Sequence, residues 1–383
     1  MIKNKICLAV FVTLITFGIL VINLVCVQKA TDKLPNITQL NYNQKSNNKA
    51  KTISDIEKIF DKISNKGISF CSELSEKNFK EKSITPVLTN QNYFANYNVE
   101  LKGRGITAEN IQNGEKVAVI DSVMAVEIFF TTEALDKKIY IDGDEFTVCG
   151  VYECDKNLIN QLSSDGKQRV YIPYTSYKDY SECEVSTISY NNIAYTAAFI
   201  EQMNLEQYHS TNFYEKSRNL LNFKHIILAY IFILFCIVTL MIWYRLCRRK
   251  YKIIKQSLKD SYLSESIRLQ PKKYFLFCIV FIGIPAILFG IFIISDFSIF
   301  IPAKYIPDDN IFDISYYITL IIENANLNNT LNLLGDTHLI NYYTRMYNCL
   351  AWSTIIVALF FTIWIYLFWD AVLKVFKKNK LVT

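Results

Sequence analysis

Four long apolar blocks interrupt an otherwise polar chain, at residues 6–27, 226–243, 274–294 and 350–369. Each is close to the ~20 residues with which an α-helix crosses a bilayer core. Because a chain in lipid must satisfy its own backbone hydrogen bonds, the blocks predict four transmembrane helices. The first block is longer than the roughly 7–15-residue core of a secretory signal, and no small-residue cleavage site follows it, so we expect a retained anchor.

The stretch between the first two blocks predicts a folded domain that begins with a helix. Apolar residues at positions 53, 56, 59, 60 and 63 follow one helix face, and Gly67 suits the end of such a helix. Ser54 and Glu57 have the spacing of a capping box at its start.

Further along this domain the apolar period changes to that of strands. The strand-like segments are residues 117–120, 138–141, 146–151 and 170–172. Asp142-Gly143-Asp144 predicts a tight hairpin between two of them, and residues 121–130 predict a short helix. The fold class is therefore an α+β domain inserted between the first and second of four transmembrane α-helices.

The distribution of Lys and Arg predicts which side of the membrane each segment occupies. Ten of them lie at residues 245–273 against two acidic residues, and more basic residues flank the first and fourth blocks. Residues 296–349 are acidic on balance. Since basic loops stay in the cytoplasm, both termini and the basic loop are predicted inside, with the α+β domain outside. The net charge of +6 then reflects membrane orientation, and nucleic-acid binding is not expected.

The chain is predicted to have five parts. The first transmembrane helix takes residues 1–28 and the extracytoplasmic domain residues 29–224. The second and third helices with their cytoplasmic loop take residues 225–295, an extracytoplasmic loop takes residues 296–349, and the fourth helix with its basic tail takes residues 350–383. We predict a multi-pass protein of the cell membrane.

The sequence lacks the motifs of the common catalytic sites. It contains no phosphate-binding G-x-x-x-x-G-K-[ST] loop, no H-E-x-x-H and no G-x-S-x-G, and only three histidines. We therefore predict a non-catalytic membrane subunit without catalytic residues, cofactor or metal. Pairing among the outer cysteines stays open at this stage; they are Cys71, Cys149, Cys154 and Cys183.

A series of short motifs in the outer domain resembles one family. In chain order they are Leu101-Lys102-Gly103-Arg104, residues 117–120, residues 134–139, residues 146–151 and Tyr171-Ile172-Pro173-Tyr174. The chain carries these motifs in a large domain that follows one span and precedes three further spans. This arrangement resembles that of the MacB/FtsX-type permeases of ABC transporters. Two departures are Asp136, where the family usually has a glycine, and the length of the 296–349 loop.

The resemblance implies a permease that works with other chains. It implies a cytoplasmic ABC ATPase, a second permease copy of the same or a different sequence, and movement of the outer domain to export or extrude a substrate. An alternative within the same family is an FtsX-like transmembrane lever that regulates a cell-wall hydrolase outside. A second alternative is a membrane-anchored binding or sensor protein without an ATPase.

The basic loop offers a candidate contact for such an ATPase. Ile254, Leu258 and Tyr262 recur every four residues, which predicts one apolar face on a short helix flanked by Lys and Arg. Apolar side chains on one face of a short cytoplasmic helix suit a groove on an ATPase. The same pattern also fits a helix that lies on anionic lipid.

Overall fold

A computed structural model describes most of the chain. The described residues are 2–62, 67–153, 157–191, 200–201, 203–257, 262, 264, 267–268, 271–294, 300–302, 305–307, 310 and 312–380. They form two compact units. The span unit comprises Met1–Val27, Leu221–Phe300 and Ala351–Thr383, and the outer unit comprises Gln28–Leu220 and Ile301–Leu350.

The helices range from one turn to more than ten. In chain order they are α1 (Ile2–Lys33), α2 (Ile53–Lys62), α3 (Tyr93–Asn96), α4 (Ala108–Gln112), α5 (Ser122–Phe129), α6 (Leu158–Ser163), α7 (Phe213–Ser257), α8 (Pro271–Cys278), α9 (Ile284–Ile294), α10 (Ile314–Thr330) and α11 (His338–Lys380). A π-helical segment, Ile279–Gly283, joins α8 to α9.

The strands all lie in the outer unit. They are β1 (Thr38–Tyr42), β2 (Ile68–Glu73), β3 (Lys77–Phe79), β4 (Lys82–Thr89), β5 (Leu101–Gly103), β6 (Val117–Asp121), β7 (Lys138–Ile141), β8 (Asp144–Tyr152), β9 (Arg169–Pro173), β10 (Thr187–Tyr190) and β11 (Tyr208–Asn212).

One mixed sheet organises the outer unit. Its order is β11-β1-β10-β2-β4-β9-β6-β8-β5, with β3 beside β4 and β7 beside β8. The β4–β9 and β6–β8 pairs are parallel and the remaining pairs are antiparallel. One face carries the larger apolar core, to which Leu40, Phe70 and Ile120 contribute, and the other carries a smaller core around Val119 and Tyr171.

The structure confirms the strands and the hairpin expected from the sequence. β6, β7, β8 and β9 cover the four predicted segments. Ile141 pairs with Asp144, which leaves Asp142 and Gly143 as a two-residue loop. Both have positive φ, 50° and 90°, as a type I′ turn requires. Helix α5 also occupies the predicted position, with the Asp121 carboxylate accepting from the Met124 amide at 2.6 Å.

The predicted capping box at the start of α2 is wrong. The helix begins at Ile53, and the Thr52 hydroxyl accepts from the Asp55 amide at 3.3 Å while the Asp55 carboxylate accepts from the Thr52 amide at 3.4 Å. The cap therefore lies two residues before Ser54. Since Thr and Asp can form the same reciprocal bonds, the spacing in the sequence allowed either position.

The four apolar blocks are confirmed as long helices. Candidate spans are Phe11–Lys33, Phe213–Arg249, Tyr274–Ile293 and His338–Tyr366. Three of the helices extend well beyond the blocks, and α7 alone has 45 residues, roughly 68 Å of helix against a core of ~30 Å. The 296–349 stretch, expected as a loop, contains α10 and the start of α11.

Candidate functional sites

Two glycines of the family-like motifs lie where the backbones of β5 and β8 touch. The Arg104 amide donates to the Cys149 carbonyl at 2.9 Å. A Cβ on Gly103 would stand 2.5 Å from the Cys149 carbonyl oxygen, and a Cβ on Gly150 would stand 2.4 Å from that of Arg104. Gly103 also has a φ of 93°. These motifs therefore serve close backbone packing, and no ligand is needed to explain them.

The second face of the sheet is polar at its β1–β10–β2 end, although it is buried. Gln39, Asn41, Ser69 and Ser189 are fully or almost fully buried there. The Ser69 and Ser189 hydroxyls are 2.6 Å apart, and the Asn41 amide donates to the Thr187 hydroxyl at 3.2 Å. Buried polar groups need such partners, so this face requires a polar cover.

Residues 331–337, which we call the covering segment, supply that cover from the far end of the sequence. The Asn41 side-chain amide donates to the Leu334 carbonyl at 2.9 Å, and that of Gln39 donates to the Asp336 carbonyl at 2.6 Å. Gly335 has a φ of 82°, and a Cβ on it would stand 2.2 Å from the Thr187 hydroxyl. The covering segment thus ties the start of α11 to the sheet.

Asp336, the sixth residue of the covering segment, lies beside two buried tyrosines. Its carboxylate accepts from the Tyr93 hydroxyl at 3.3 Å and from the His338 amide at 3.0 Å. The Tyr93 and Tyr171 hydroxyls are 3.1 Å apart, and their rings stack at 4.9 Å. Burial raises the pKa of both phenols well above 10, and the Asp336 charge raises them further. Both remain protonated, so this cluster supplies hydrogen-bond donors.

Arg169 is a cation buried in the described part of the outer unit. Its guanidinium donates to Glu73 at 2.7 Å and to Asp165 at 3.0 Å. Burial alone would lower its pKa, but the bonds to Asp165 and the charges of its neighbours raise the pKa above its usual value. Because two carboxylates already occupy the guanidinium, this group is structural and leaves little room for an anionic ligand.

The cysteines and the acidic groups of the described residues assemble no metal site. No cluster of three His, Cys, Asp or Glu side chains with metal-binding geometry occurs among them. Cys71, Cys149 and Cys183 are free thiols, and Cys154 lies outside the described residues. Burial raises the pKa of Cys71 well above its ordinary value, which keeps this thiol protonated and unreactive.

The three candidate ATPase contacts do not share one short helix. Ile254 lies in the last turn of α7 and is half-buried. Tyr262 is 85% exposed and lies outside any helix, and Leu258 is outside the described residues. The expected helix through all three is therefore wrong at Tyr262, which lies outside any helix of the described residues. Their contact with an ATPase stays a prediction.

In the third span, the Phe281 carbonyl that Pro285 cannot bond has a donor in the second span. Proline has no N–H, so it cannot donate to the Phe281 carbonyl four residues earlier. The Trp243 indole donates to that carbonyl at 3.3 Å, and its ring lies 5.8 Å from the Phe281 ring. The π-helical segment Ile279–Gly283 ends just before this proline. The irregular backbone of the third span is thus partly satisfied by its neighbour.

These features define the class of protein. Four helices are long and apolar enough to cross a membrane, and a mixed α/β domain is inserted after the first, so the chain is a multi-pass membrane protein with an extracytoplasmic-type domain. The family of MacB-like periplasmic core domains matches residues 6–203, more than half of the 383 residues. The chain belongs to this family and is a permease of the MacB/FtsX type.

Among the solved structures that are similar to part of this chain are domains of three bacterial proteins. The periplasmic region of MacB from Actinobacillus actinomycetemcomitans is 17% identical, with a TM-score of 0.38 over 48% of this chain and 91% of that one. The extracellular domain of the noncanonic ABC-type transporter YknZ from Gram-positive bacteria is 20% identical, with a TM-score of 0.34 over 46% and 100%. A domain of a putative permease from Porphyromonas gingivalis is 11% identical, with a TM-score of 0.28 over 46% and 81%. A search of curated proteins gave no match.

Proposed function

We propose that this chain is the non-catalytic permease subunit of an ABC transporter-type complex. A separate cytoplasmic ATPase hydrolyses ATP, and the permease passes the resulting motion to its outer domain, which acts on an exported or extruded substrate. Two permease copies work with the ATPase. Family membership supports the permease role, and the coupling to an ATPase is our inference.

The observation that carries the proposal is the continuity of three helices. α1, α7 and α11 each belong in part to the outer unit and in part to the span unit. α7 continues without a helix break past Trp243 into the basic stretch that begins at Arg245. A helix is stiff along its axis, so a push at the basic end displaces the other end. This gives the ATPase a mechanical route to the outer domain.

The basic stretch at the end of α7 is where we place the ATPase contact. Arg245, Arg248, Arg249 and Lys252 precede Ile254, so an apolar side chain follows a strongly cationic helix segment. The basic residues hold the segment at the cytoplasmic surface of the membrane. The apolar residues Ile254 and Leu258 then fill a groove on the ATPase, and Tyr262 contributes from beyond the helix.

The test is affinity purification of the full-length chain from native membranes, with the co-isolated chains identified. Leu258→Asp would bury a carboxylate in the apolar contact, which costs several kcal/mol. We expect co-isolated ATPase to fall at least tenfold, equivalent to ~1.4 kcal/mol or more. The matched control Ser257→Asp adds the same charge one residue earlier in the sequence, at a polar residue outside the proposed apolar contact, and should retain the ATPase.

Each other outcome of this purification has a definite meaning. Unchanged ATPase with Leu258→Asp would overturn the contact assignment while leaving the permease role intact. The absence of any ATPase with the unaltered chain would favour a binding or sensor protein. A cell-wall hydrolase among the co-isolated chains would favour the FtsX-like lever.

A further inference from the structure

Helix α6 exposes two leucines and buries two polar side chains. Leu158 and Leu162 are 70% and 54% exposed, whereas Asn160 and Ser163 are buried. A helix that faces water usually shows the opposite arrangement, with its leucines inside and its polar side chains outside. Gln161 is exposed beside the leucines, as on a helix at a boundary between an apolar medium and water.

The two buried polar residues tie α6 to the ends of two candidate spans. Lys33, the last residue of the first candidate span, donates from its ammonium group to the Asn160 side chain at 2.6 Å. The Asn341 side-chain amide, in the first turn of the fourth candidate span, donates to the Ser163 carbonyl at 3.4 Å. All four residues belong to the outer unit, so these bonds lie within one compact body.

Helix α1 continues from its bond with α6 into an apolar segment. The last residue of that segment is Val27, which lies about 9 Å along the helix from Lys33. Helix side chains lean towards the N-terminus, so the Lys33 side chain extends back towards Val27. The lipid headgroups occupy roughly 5–8 Å on each side of a bilayer core. When the apolar segment of α1 fills the core, α6 therefore lies at the height of the headgroups.

Two exposed cations lie one helical turn closer to the apolar segments than these bonds. Lys29 is four residues before Lys33 in α1, and Arg345 is four residues after Asn341 in α11. Residues four apart share one face of a helix, so both cations lie on the helix faces that meet α6. Arg345 is also one of only two basic residues in the 296–349 stretch. Cations at this height attract the phosphates of anionic lipids.

The ends of α1 and α11 also contact each other at this place. The Lys33 ammonium lies 4.8 Å from the centroid of the Tyr342 ring, and Tyr342 is buried. α1, α6 and α11 thus meet in one part of the outer unit, with the two leucines on its surface and the two cations one turn away. We call Leu158, Leu162, Lys29 and Arg345 the α6 corner.

We propose that the α6 corner binds anionic phospholipid in the leaflet next to the outer unit. Leu158 and Leu162 insert among the upper parts of the acyl chains, and Lys29 and Arg345 bind the phosphates. Apolar insertion and attraction between cations and phosphates together hold short segments at a membrane surface. Both are needed here, because two leucines bury little area and two exposed cations are screened by salt. The inference depends on the candidate spans and does not depend on an ATPase.

Hydrogen exchange of the full-length chain in lipid nanodiscs tests this binding. One kind of nanodisc contains only phosphatidylcholine, and the other also contains phosphatidylglycerol. With phosphatidylglycerol present, we expect the amides of residues 158–163 to exchange at least about fivefold more slowly, because bound lipid suppresses local opening of α6. The amides of β6, in the middle of the sheet, should exchange equally in both.

Two double variants separate the two parts of the α6 corner. Lys29→Gln with Arg345→Gln removes the cations, and Leu158→Ser with Leu162→Ser removes the apolar insertion. All four side chains are exposed, so neither change opens a core, and each should abolish the effect of phosphatidylglycerol on residues 158–163. The matched control Lys178→Gln removes another exposed lysine of the outer unit and should retain the effect.

The other outcomes would overturn the proposal. These are equal exchange of residues 158–163 in both kinds of nanodisc, slower exchange that survives either double variant, and an equal slowing of β6, which would indicate general stabilisation. Slower exchange after inorganic phosphate is added to the detergent-solubilised chain would identify a soluble anion as the ligand and exclude lipid. None of these measurements involves an ATPase, so failure here would leave the proposed function standing.

Discussion

At Gly150 the absence of a side chain decides whether two strands can meet. A Cβ there would stand 2.4 Å from the Arg104 carbonyl oxygen, a rigid backbone atom. We predict that Gly150→Ala lowers the free energy of unfolding by ~3 kcal/mol, because β5 and β8 must separate to admit the methyl group. Thermal unfolding of the detergent-solubilised full-length chain would measure this as a clear fall in melting temperature.

Gly143→Ala is the matched control for that change. A Cβ at Gly143 would meet no atom within 4 Å, so only its positive φ of 90° opposes the substitution. The expected loss is about 1 kcal/mol. Equal losses for the two variants would show that the contact with Arg104 does not constrain β5 and β8.

The contribution of Asp121 to stability is expected to depend on pH. Burial raises the pKa of this carboxyl, although the Met124 amide hydrogen bond opposes the shift. Since the folded pKa exceeds the unfolded value of ~3.9, the contribution of Asp121 is most favourable below that value and is lost as pH rises through the folded pKa. Asp121→Asn keeps a capping oxygen and never ionises. Between about pH 3.5 and neutrality, we expect Asp121→Asn to melt at a higher temperature than the unaltered chain. The difference should match the stability that the unaltered chain loses when Asp121 ionises.

Asp121→Ala separates the cap from the charge. Relative to Asp121→Asn, which also lacks the charge, it should lose about 1 kcal/mol in the free energy of unfolding near neutral pH because it has no capping oxygen. If the difference in melting temperature between Asp121→Asn and the unaltered chain were the same at every pH, the shifted titration of Asp121 would be disproved.

Asp136 shows how a departure from a family pattern can preserve a conformation. By the resemblance, the family usually has a glycine at this position, and the φ of Asp136 is 62°, in the left-handed region that favours glycine. Its amide donates to the Val148 carbonyl at 2.9 Å, which fixes the turn before β7. Aspartate tolerates this region better than most residues, so the turn survives the replacement. The sequence identified the position, and only the backbone geometry explained why it works.

Among the elements, the covering segment is the one that depends most on contacts distant in sequence. Gly335 packs so closely that a Cβ would lie 2.2 Å from the Thr187 hydroxyl and 2.7 Å from that of Ser186. We predict that Gly335→Val detaches the covering segment from the sheet and exposes Gln39 and Asn41. Hydrogen exchange of the full-length chain should then show protection falling at least tenfold in residues 331–337 and in β1.

Asp308→Asn, more than twenty residues before the covering segment in the sequence, serves as a reference substitution. It should leave the exchange of residues 331–337 unchanged. Unaltered protection in Gly335→Val would mean that the covering segment accommodates a side chain at residue 335. The close packing of Gly335 against Thr187 would then not be what holds the covering segment on the sheet.

Local sequence patterns predict where helices and strands lie far better than they predict the residues at which these elements begin and end. The hairpin at Asp142 and Gly143 was predictable because a type I′ turn needs two residues with positive φ. The start of α2 was not, because Thr52 and Ser54 both offer a capping hydroxyl and only the packed helix shows which one is used. The continuation of α7 past the second apolar block as far as Ser257 was also missed, since the charged residues from Arg245 onwards can continue a helix as well as end it.

For the whole molecule, the apolar blocks and the basic loop predict how the chain crosses the membrane. The four candidate spans agree with the blocks. The placement of both termini in the cytoplasm follows from Lys and Arg alone and stays a prediction, as do the five domain bounds. The two units share α1, α7 and α11, and this continuity makes the orientation important for the proposed mechanism.

The sequence by itself determined the spans, four of the eleven strands described in the α+β domain and the family resemblance. The spans and the strands depend on composition or spacing within about twenty residues, where periodicity reports directly on helix or strand. Only the tertiary structure decided that the polar residues Gln39 and Asn41 are buried, because their cover comes from Asp336 and its neighbours almost 300 residues later, at a separation of 297 for Gln39. Pairing across such a distance depends on the complementary shape and hydrogen bonding of two folded surfaces, which local periodicity does not encode.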